Sequence, residues 1–122
     1  MKRIYRLKFY VNASHAIRWE KGTGQKHNHT WEIVCEFKGL NDKFISFFEA
    51  EKVVRNILDK FEGTFLNETP TFENINPTLE NVTEVFFEKL SQDIKKVDGQ
   101  LVQVEVAEKP THIFRIEADD DL

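Results

Sequence analysis

Two long runs that alternate apolar and polar residues constrain this chain more than any other feature. In HNHTWEIVCEFK, residues 27–38, His27, His29, Trp31, Ile33, Cys35 and Phe37 share one face, while Glu32, Glu36 and Lys38 share the other. A period of two marks a strand with one buried face. Residues 3–11 behave likewise, with Tyr5, Leu7, Phe9 and Val11 opposite Arg6 and Lys8. The intervening stretch 16–26 carries two Gly and several charges and reads as a loop, so the two strands are expected to pair antiparallel.

The period then changes. Over 46–61, Phe47, Val54, Ile57, Leu58 and Phe61 fall on one helical face, with Ser46 as N-cap, Glu49 three residues on, and Gly63 as the stop. Residues 67–76 read as a loop. A second helix is expected to start with Asn76 as N-cap and Pro77 in the first turn, burying Leu79, Val82, Phe86, Leu90 and Ile94. Two further alternating runs, 101–108 and 112–117, flank Lys109–Pro110–Thr111. The echo between PTFEN (70–74) and PTLEN (77–81) is too short for a repeat architecture and is read as chance. The order ββααββ, with strands and helices in separate runs, predicts an α+β fold: a four-stranded antiparallel sheet with two helices packed on one face. Such a sheet has two open edges, which must be blunted or paired with other subunits. Residues 1–117 are expected to form a single domain, and 118–122 an acidic, frayed tail.

Composition excludes several function classes. With 122 residues, 40% of them hydrophobic and eleven Phe, there is enough apolar material to bury a real core. Net charge is −4 and the cations are dispersed, so the basic stripe of a nucleic-acid binder is missing. No apolar run is long enough for a membrane span or a signal peptide, and the one cysteine, Cys35, fits a reducing compartment; a soluble, cytoplasmic protein is expected.

His27 and His29 project from the same side of their strand, with Cα atoms about 6.6 Å apart. Two imidazoles at that spacing can converge on one ion. His15 follows the first strand, in NASHAI, and antiparallel pairing carries it to the start of the second, beside His27 and His29. Three His ligands would leave one zinc position open, the pattern of a catalytic site. The plain alternative is that H-x-H is ordinary polar strand surface.

These residues bear a likeness to a known family. SHAI, HNH after a short loop, LN at 66–67, INPTLEN at 75–81 and VEVAE at 104–108 follow one another as in the 6-pyruvoyl-tetrahydropterin synthase and 6-carboxytetrahydropterin synthase family. The resemblance covers roughly residues 4–117. It implies a T-fold whose subunits join sheets edge to edge, commonly as a hexamer of two stacked trimers. It implies Zn2+ on His15, His27 and His29. It also implies a reduced pterin phosphate, such as dihydroneopterin triphosphate, as substrate of a lyase-type reaction. Glu108 matches the residue that grips the pterin, and Thr78 a pterin-contacting threonine. Taken alone, Glu108 is a strand-end charge and Thr78 a helix-start residue. A biopterin route and a deazapurine route toward queuosine both remain compatible.

The sequence departs from the family pattern where the chemistry lies. Thr23 stands at the position of the catalytic Cys, four residues before His27. Glu62 and Gly63 stand where the family has an Asp-His pair, Ser46 replaces an Asp, and Asn28 replaces a Gly between the metal histidines. Cys35 lies about 20 Å along the strand from His29 and is read as a small core residue. Glu20, Glu62 and His112 are the candidate replacement bases, although His112 on its own reads as an exposed strand-start residue. Three readings follow: a zinc lyase with a rearranged acid–base set; an inactive or repurposed zinc- and pterin- or purine-binding protein; and a structural oligomer whose histidines bind nothing.

Overall fold

The structure is a computed structural model, and it describes residues 1–119. Its strands are β1 (Tyr5–His15), β2 (Arg18–Trp19), β3 (Gly22–Thr23), β4 (His27–Gly39), β5 (Thr64–Phe65), β6 (Gly99–Lys109) and β7 (His112–Glu117). Its α-helices are α1 (Phe47–Leu58) and α2 (Leu79–Asp93). The main sheet has the order β5-β1-β4-β6-β7, with β2 and β3 forming a separate short ribbon. The expected ββααββ order is present, and both helices share a core with one sheet face. The sheet has five strands rather than four, because Thr64 and Phe65 pair parallel with Ala13 and Ser14 at its edge.

The register between β1 and β4 runs without interruption from Tyr5↔Phe37 to His15↔His27. It places Leu7, Phe9, Val11 and Ala13 of β1 beside Trp31, Ile33, Cys35 and Phe37 of β4, all buried. These pack against Ala50, Val54, Ile57 and Leu58 of α1 and Val82, Val85, Phe86 and Leu90 of α2. On the opposite face, charges pair across strands, as in Arg6–Glu36 at 2.7 Å and Lys8–Glu32 at 3.2 Å.

Several boundaries differ from expectation. β1 runs four residues past Val11, through His15, and α1 stops at Leu58. Phe47 lies half out of the core, against the Tyr5 ring edge, and Ala50 takes its place in the buried stripe. Ser46 caps α1 as expected, accepting from the Glu49 N–H, and Gly63 follows with φ 72°. Helix α2 is capped by Thr78, which accepts from the Asn81 N–H, and not by Asn76. The reason is that the Asn76 amide is engaged elsewhere, on Arg18. The stretch 67–76 is less loop-like than its composition implies. It holds 3₁₀ turns at Leu66–Glu68 and Pro70–Phe72, and Phe72 is fully buried. PTF at 70–72 is therefore a 3₁₀ turn while PTLEN leads into α2, so the echo carries no repeated structure.

Glu36 of β4 pairs with Gln103 and Phe37 with Leu101, so Val102 is the extra residue of a bulge in β6. It places Leu101 in the core where alternation alone places Val102. Of the tail, Ala118 donates its N–H to the Val102 carbonyl at 2.8 Å, and residues 120–122 lie outside the described residues. Among the described residues no helix is long and apolar enough to cross a membrane.

Gly39 and Gly99 face each other at the closed end of β4 and β6. A Cβ on Gly39 would overlap the Lys43 backbone carbonyl, which cannot swing away as a flexible side chain would. Gly39→Ala is expected to cost about 1–3 kcal/mol, read as a lower urea midpoint at unchanged slope.

Candidate metal and ligand site

β1 ends and β4 begins at the same end of the sheet, so His15 faces His27 directly and His29 lies diagonally across from His15. The His15 ring centre is 5.3 Å from that of His27 and 5.0 Å from that of His29. One ring nitrogen from each lies within 4.8 Å of the others, an arrangement that could hold a metal ion. Trp31 floors the group, its ring 4.9 Å from His15 and 5.6 Å from His29, and is pinned by its indole N–H on the Ala13 carbonyl at 3.1 Å.

His15 is the buried member, at 2% exposure, whereas His27 is open to solvent. The Nδ1 of His15 lies 2.8 Å from the Pro77 carbonyl. A carbonyl only accepts, so Nδ1 carries the proton and Nε2 the lone pair. That Nε2 is buried without a hydrogen-bond partner. Leaving such an atom unpaired costs about 1–3 kcal/mol. A carbonyl that sets the tautomer of a ring whose other nitrogen faces neighbouring imidazoles is how proteins orient a metal-binding His. Burial holds the His29 imidazole below its ordinary range, helped by His15, opposed by Glu108, and further lowered by His27 and Lys109. The neutral ring is the metal-binding form.

Two asparagine side chains hold the backbone just after His15. Asn67 accepts from the Ala16 N–H at 2.9 Å and donates to its carbonyl at 2.7 Å. Asn76 does the same for Arg18, at 2.8 and 2.9 Å. Each amide thus imitates a strand partner for one residue. The Arg18 guanidinium adds bonds to the Ile75 and Asn67 carbonyls. LN and INP are therefore the residues that dock 16–18 and place the Pro77 carbonyl under His15. Loop punctuation alone does not reveal this, although an Asn in each of two loops is the available sign.

Glu108 arrives by a bulge. Ala107 pairs with Ile113 and Lys109 with His112, leaving Glu108 as the extra residue of β6. Bulges redirect a side chain in this way beside functional sites. Its Oε2 lies 3.6 Å from His15 Nε2 and 3.9 Å from His29 Nε2, and its Oε1 lies 3.5 Å from His112 Nδ1. Thr78, Trp19 and Lys109 line the same cleft, of about 820 Å³.

The three candidate bases separate. His112 lines the cleft. Glu20 is exposed at the turn of the β2–β3 ribbon, and Thr23 is exposed in β3. Glu62 accepts from the Asn12 N–H at 3.1 Å, so its carboxylate is engaged on the edge of β1. Cys35 sits mid-sheet opposite Leu7 and Val104, and burial pushes its thiol up to about 12.

The sequence profile of 6-pyruvoyl tetrahydropterin synthase matches residues 4–119. The protein belongs to the 6-pyruvoyl tetrahydropterin synthase family. An Archaeoglobus fulgidus protein, whose name carries 6-carboxy-5,6,7,8-tetrahydropterin synthase as a provisional assignment, is 32% identical over 60 residues. That match spans 47% of this chain and about half (52%) of the relative. The structure of Caenorhabditis elegans 6-pyruvoyl tetrahydropterin synthase superposes with a TM-score of 0.80 at 20% identity, covering 96% of both chains. The Plasmodium falciparum enzyme of the same name gives 0.66 at 13% identity, over 96% of this chain and 99% of its own. At those identities the superpositions establish the fold, the T-fold of this family.

Two outcomes check this geometry. Asn67→Ala removes both bonds to Ala16 and is expected to lower unfolding free energy by about 1–3 kcal/mol. Cys35 is expected to resist a thiol reagent at pH 8 and to react once guanidinium unfolds the protein. Because its folded value is raised, its contribution to stability is complete below the unfolded thiol range near 8.5. That contribution is lost as pH climbs from there toward about 12, so Cys35→Ala should flatten the alkaline loss of stability.

Proposed function

We propose that the protein binds one Zn2+ on His15, His27 and His29 and takes a reduced pterin phosphate such as dihydroneopterin triphosphate beside it, as a lyase. The observation that carries this reading is the buried, unpartnered Nε2 of His15, set by the Pro77 carbonyl and turned toward two more imidazoles. The donor set suits zinc, which accepts three histidines and keeps a further position open. When bound, zinc supplies Lewis acidity toward the oxygens of the substrate side chain.

The protein's own residues would do the rest. The Glu108 carboxylate, mostly shielded at 19% exposure, can accept from a pterin ring N–H and its amino group together. Thr78, on the cleft wall, supplies a hydroxyl, although that oxygen already accepts from Asn81 N–H. His27, the exposed member of the three, lies at the solvent side of the cleft. A second reading, a zinc- and pterin- or purine-binding protein without turnover, is favoured by Thr23 and Gly63 at the positions of the family's thiol and imidazole.

The edge strand β7, with Ile113 and Phe114 exposed, offers an unpaired rim on which further copies can extend the sheet. A hexamer in the cytoplasm is the assembly proposed, and sedimentation would measure it.

The deciding experiment is metal analysis of untagged protein beside a His27→Ala/His29→Ala double variant. About one zinc per subunit, absent from the variant, is the expected result. No zinc in either would remove the lyase reading. With zinc present, release of triphosphate from dihydroneopterin triphosphate separates the lyase from the binding protein.

A further inference from the structure

The family resemblance implies a catalytic thiol and imidazole where this chain has Thr23 and Gly63, and neither of these titrates near neutral pH. Besides the three clustered histidines, the titratable side chains lining the cleft are Glu80, Glu108, Lys109 and His112. Among these described residues, only His112 sets an imidazole nitrogen beside a carboxylate. Its Nδ1 is 3.5 Å from Oε1 of Glu108, whose other oxygen faces His15 and His29. One carboxylate therefore bridges the histidine cluster and a fourth imidazole. The placement follows from the backbone. The bulge at Glu108 and the tight turn at Pro110–Thr111 bring residues 108 and 112 together at the end of the β6–β7 hairpin.

We propose that His112, oriented by Glu108, is the catalytic base of this site; the assignment rests on the lyase reading above. Glu108 Oε1 accepts from Nδ1–H, which leaves the Nε2 lone pair for the substrate. Carboxylate–imidazole pairs work in this way: the acid holds the tautomer and steadies the imidazolium that forms. In the step, the C–H bond on the substituent carbon next to the dihydropterin ring breaks. The proton passes to His112 Nε2, and the electron pair moves into the adjacent ring C=N, whose nitrogen takes up a proton from water. Charge and atoms balance without an oxidant. Glu108 Oε2 and the second lone pair of Oε1 stay free to accept from the pterin ring N–H and amino group. A separation of 3.5 Å is compatible with this role, because such bonds tighten when substrate binds.

The test compares wild type, His112→Ala and His112→Gln for zinc content, dihydroneopterin triphosphate affinity by fluorescence, triphosphate release, and deuterium uptake into the substrate side chain from D2O. His112 is exposed, so both variants should fold. The expected result is unchanged zinc, affinity within about threefold, and release and exchange slowed together by about 10²–10⁴-fold, partly restored by added imidazole in the Ala variant. In the metal-free protein at pH 8, nitrogen NMR should show the Nδ1-protonated tautomer of His112 in wild type and a tautomer mixture in Glu108→Gln. Exchange as fast in the variants as in wild type would overturn the assignment to His112 and leave the lyase reading standing. Loss of zinc in His112→Ala would also overturn it, by making His112 part of the metal site. Zinc and pterin binding by wild type with neither release nor exchange would overturn the lyase reading itself, and the base with it.

Discussion

The pairing of β1 with β4 is the constraint on which the rest depends. Eleven residues of each strand run opposed without a slip. Because side chains alternate, a shift of one residue would move every core side chain to the charged face and every charge inward. The same register that buries Phe9 and Ile33 also sets His15 against His27. Core and site are thus two ends of one ladder. A slip costly enough to be excluded by the core is also excluded at the histidines, so the cluster inherits its precision from hydrophobic burial some distance away.

The ladder alone leaves the last imidazole free to rotate and the backbone after it free to wander. Both freedoms are removed from the helical side of the molecule. Asn67 and Asn76 hold residues 16–18 through paired amide bonds, and the Pro77 carbonyl fixes the His15 tautomer. Asn76 thereby gives up helix capping, which passes to Thr78 two residues later. Glu108 reaches the same place from β6 only because a bulge disturbs the β6–β7 ladder at that residue. Regular pairing positions the histidines, and departures from it position the groups around them.

Much of this is legible in residue order. Alternation over 27–38 and 3–11, a helical period over 46–61, and separate runs of strands and helices lead to an α+β sheet with helices on one face. Antiparallel topology by itself brings His15, His27 and His29 together. The departures share a cause. Local pattern turns Val102 inward, makes Asn76 a cap and leaves 67–76 a plain loop. In each case a distant partner decides otherwise: the β4 pairing that leaves Val102 as a bulge in β6, the Arg18 backbone, and the core that swallows Phe72. The fifth strand is two residues long and carries too little periodicity to declare itself.

The sequence by itself determined the secondary-structure order, the faces of the two long strands and the identity of three clustered imidazoles, because side-chain period is a local property of the backbone. Tertiary structure alone decided which of the remaining acids and bases stand beside them. Glu20, Glu62 and His112 are equivalent as titratable residues along the sequence. Folding puts Glu20 at a turn, engages Glu62 on the Asn12 amide, and sets His112 against Glu108 in the cleft. Proton chemistry depends on ångström separations between residues far apart in sequence, and those separations exist only once the sheet has closed around them.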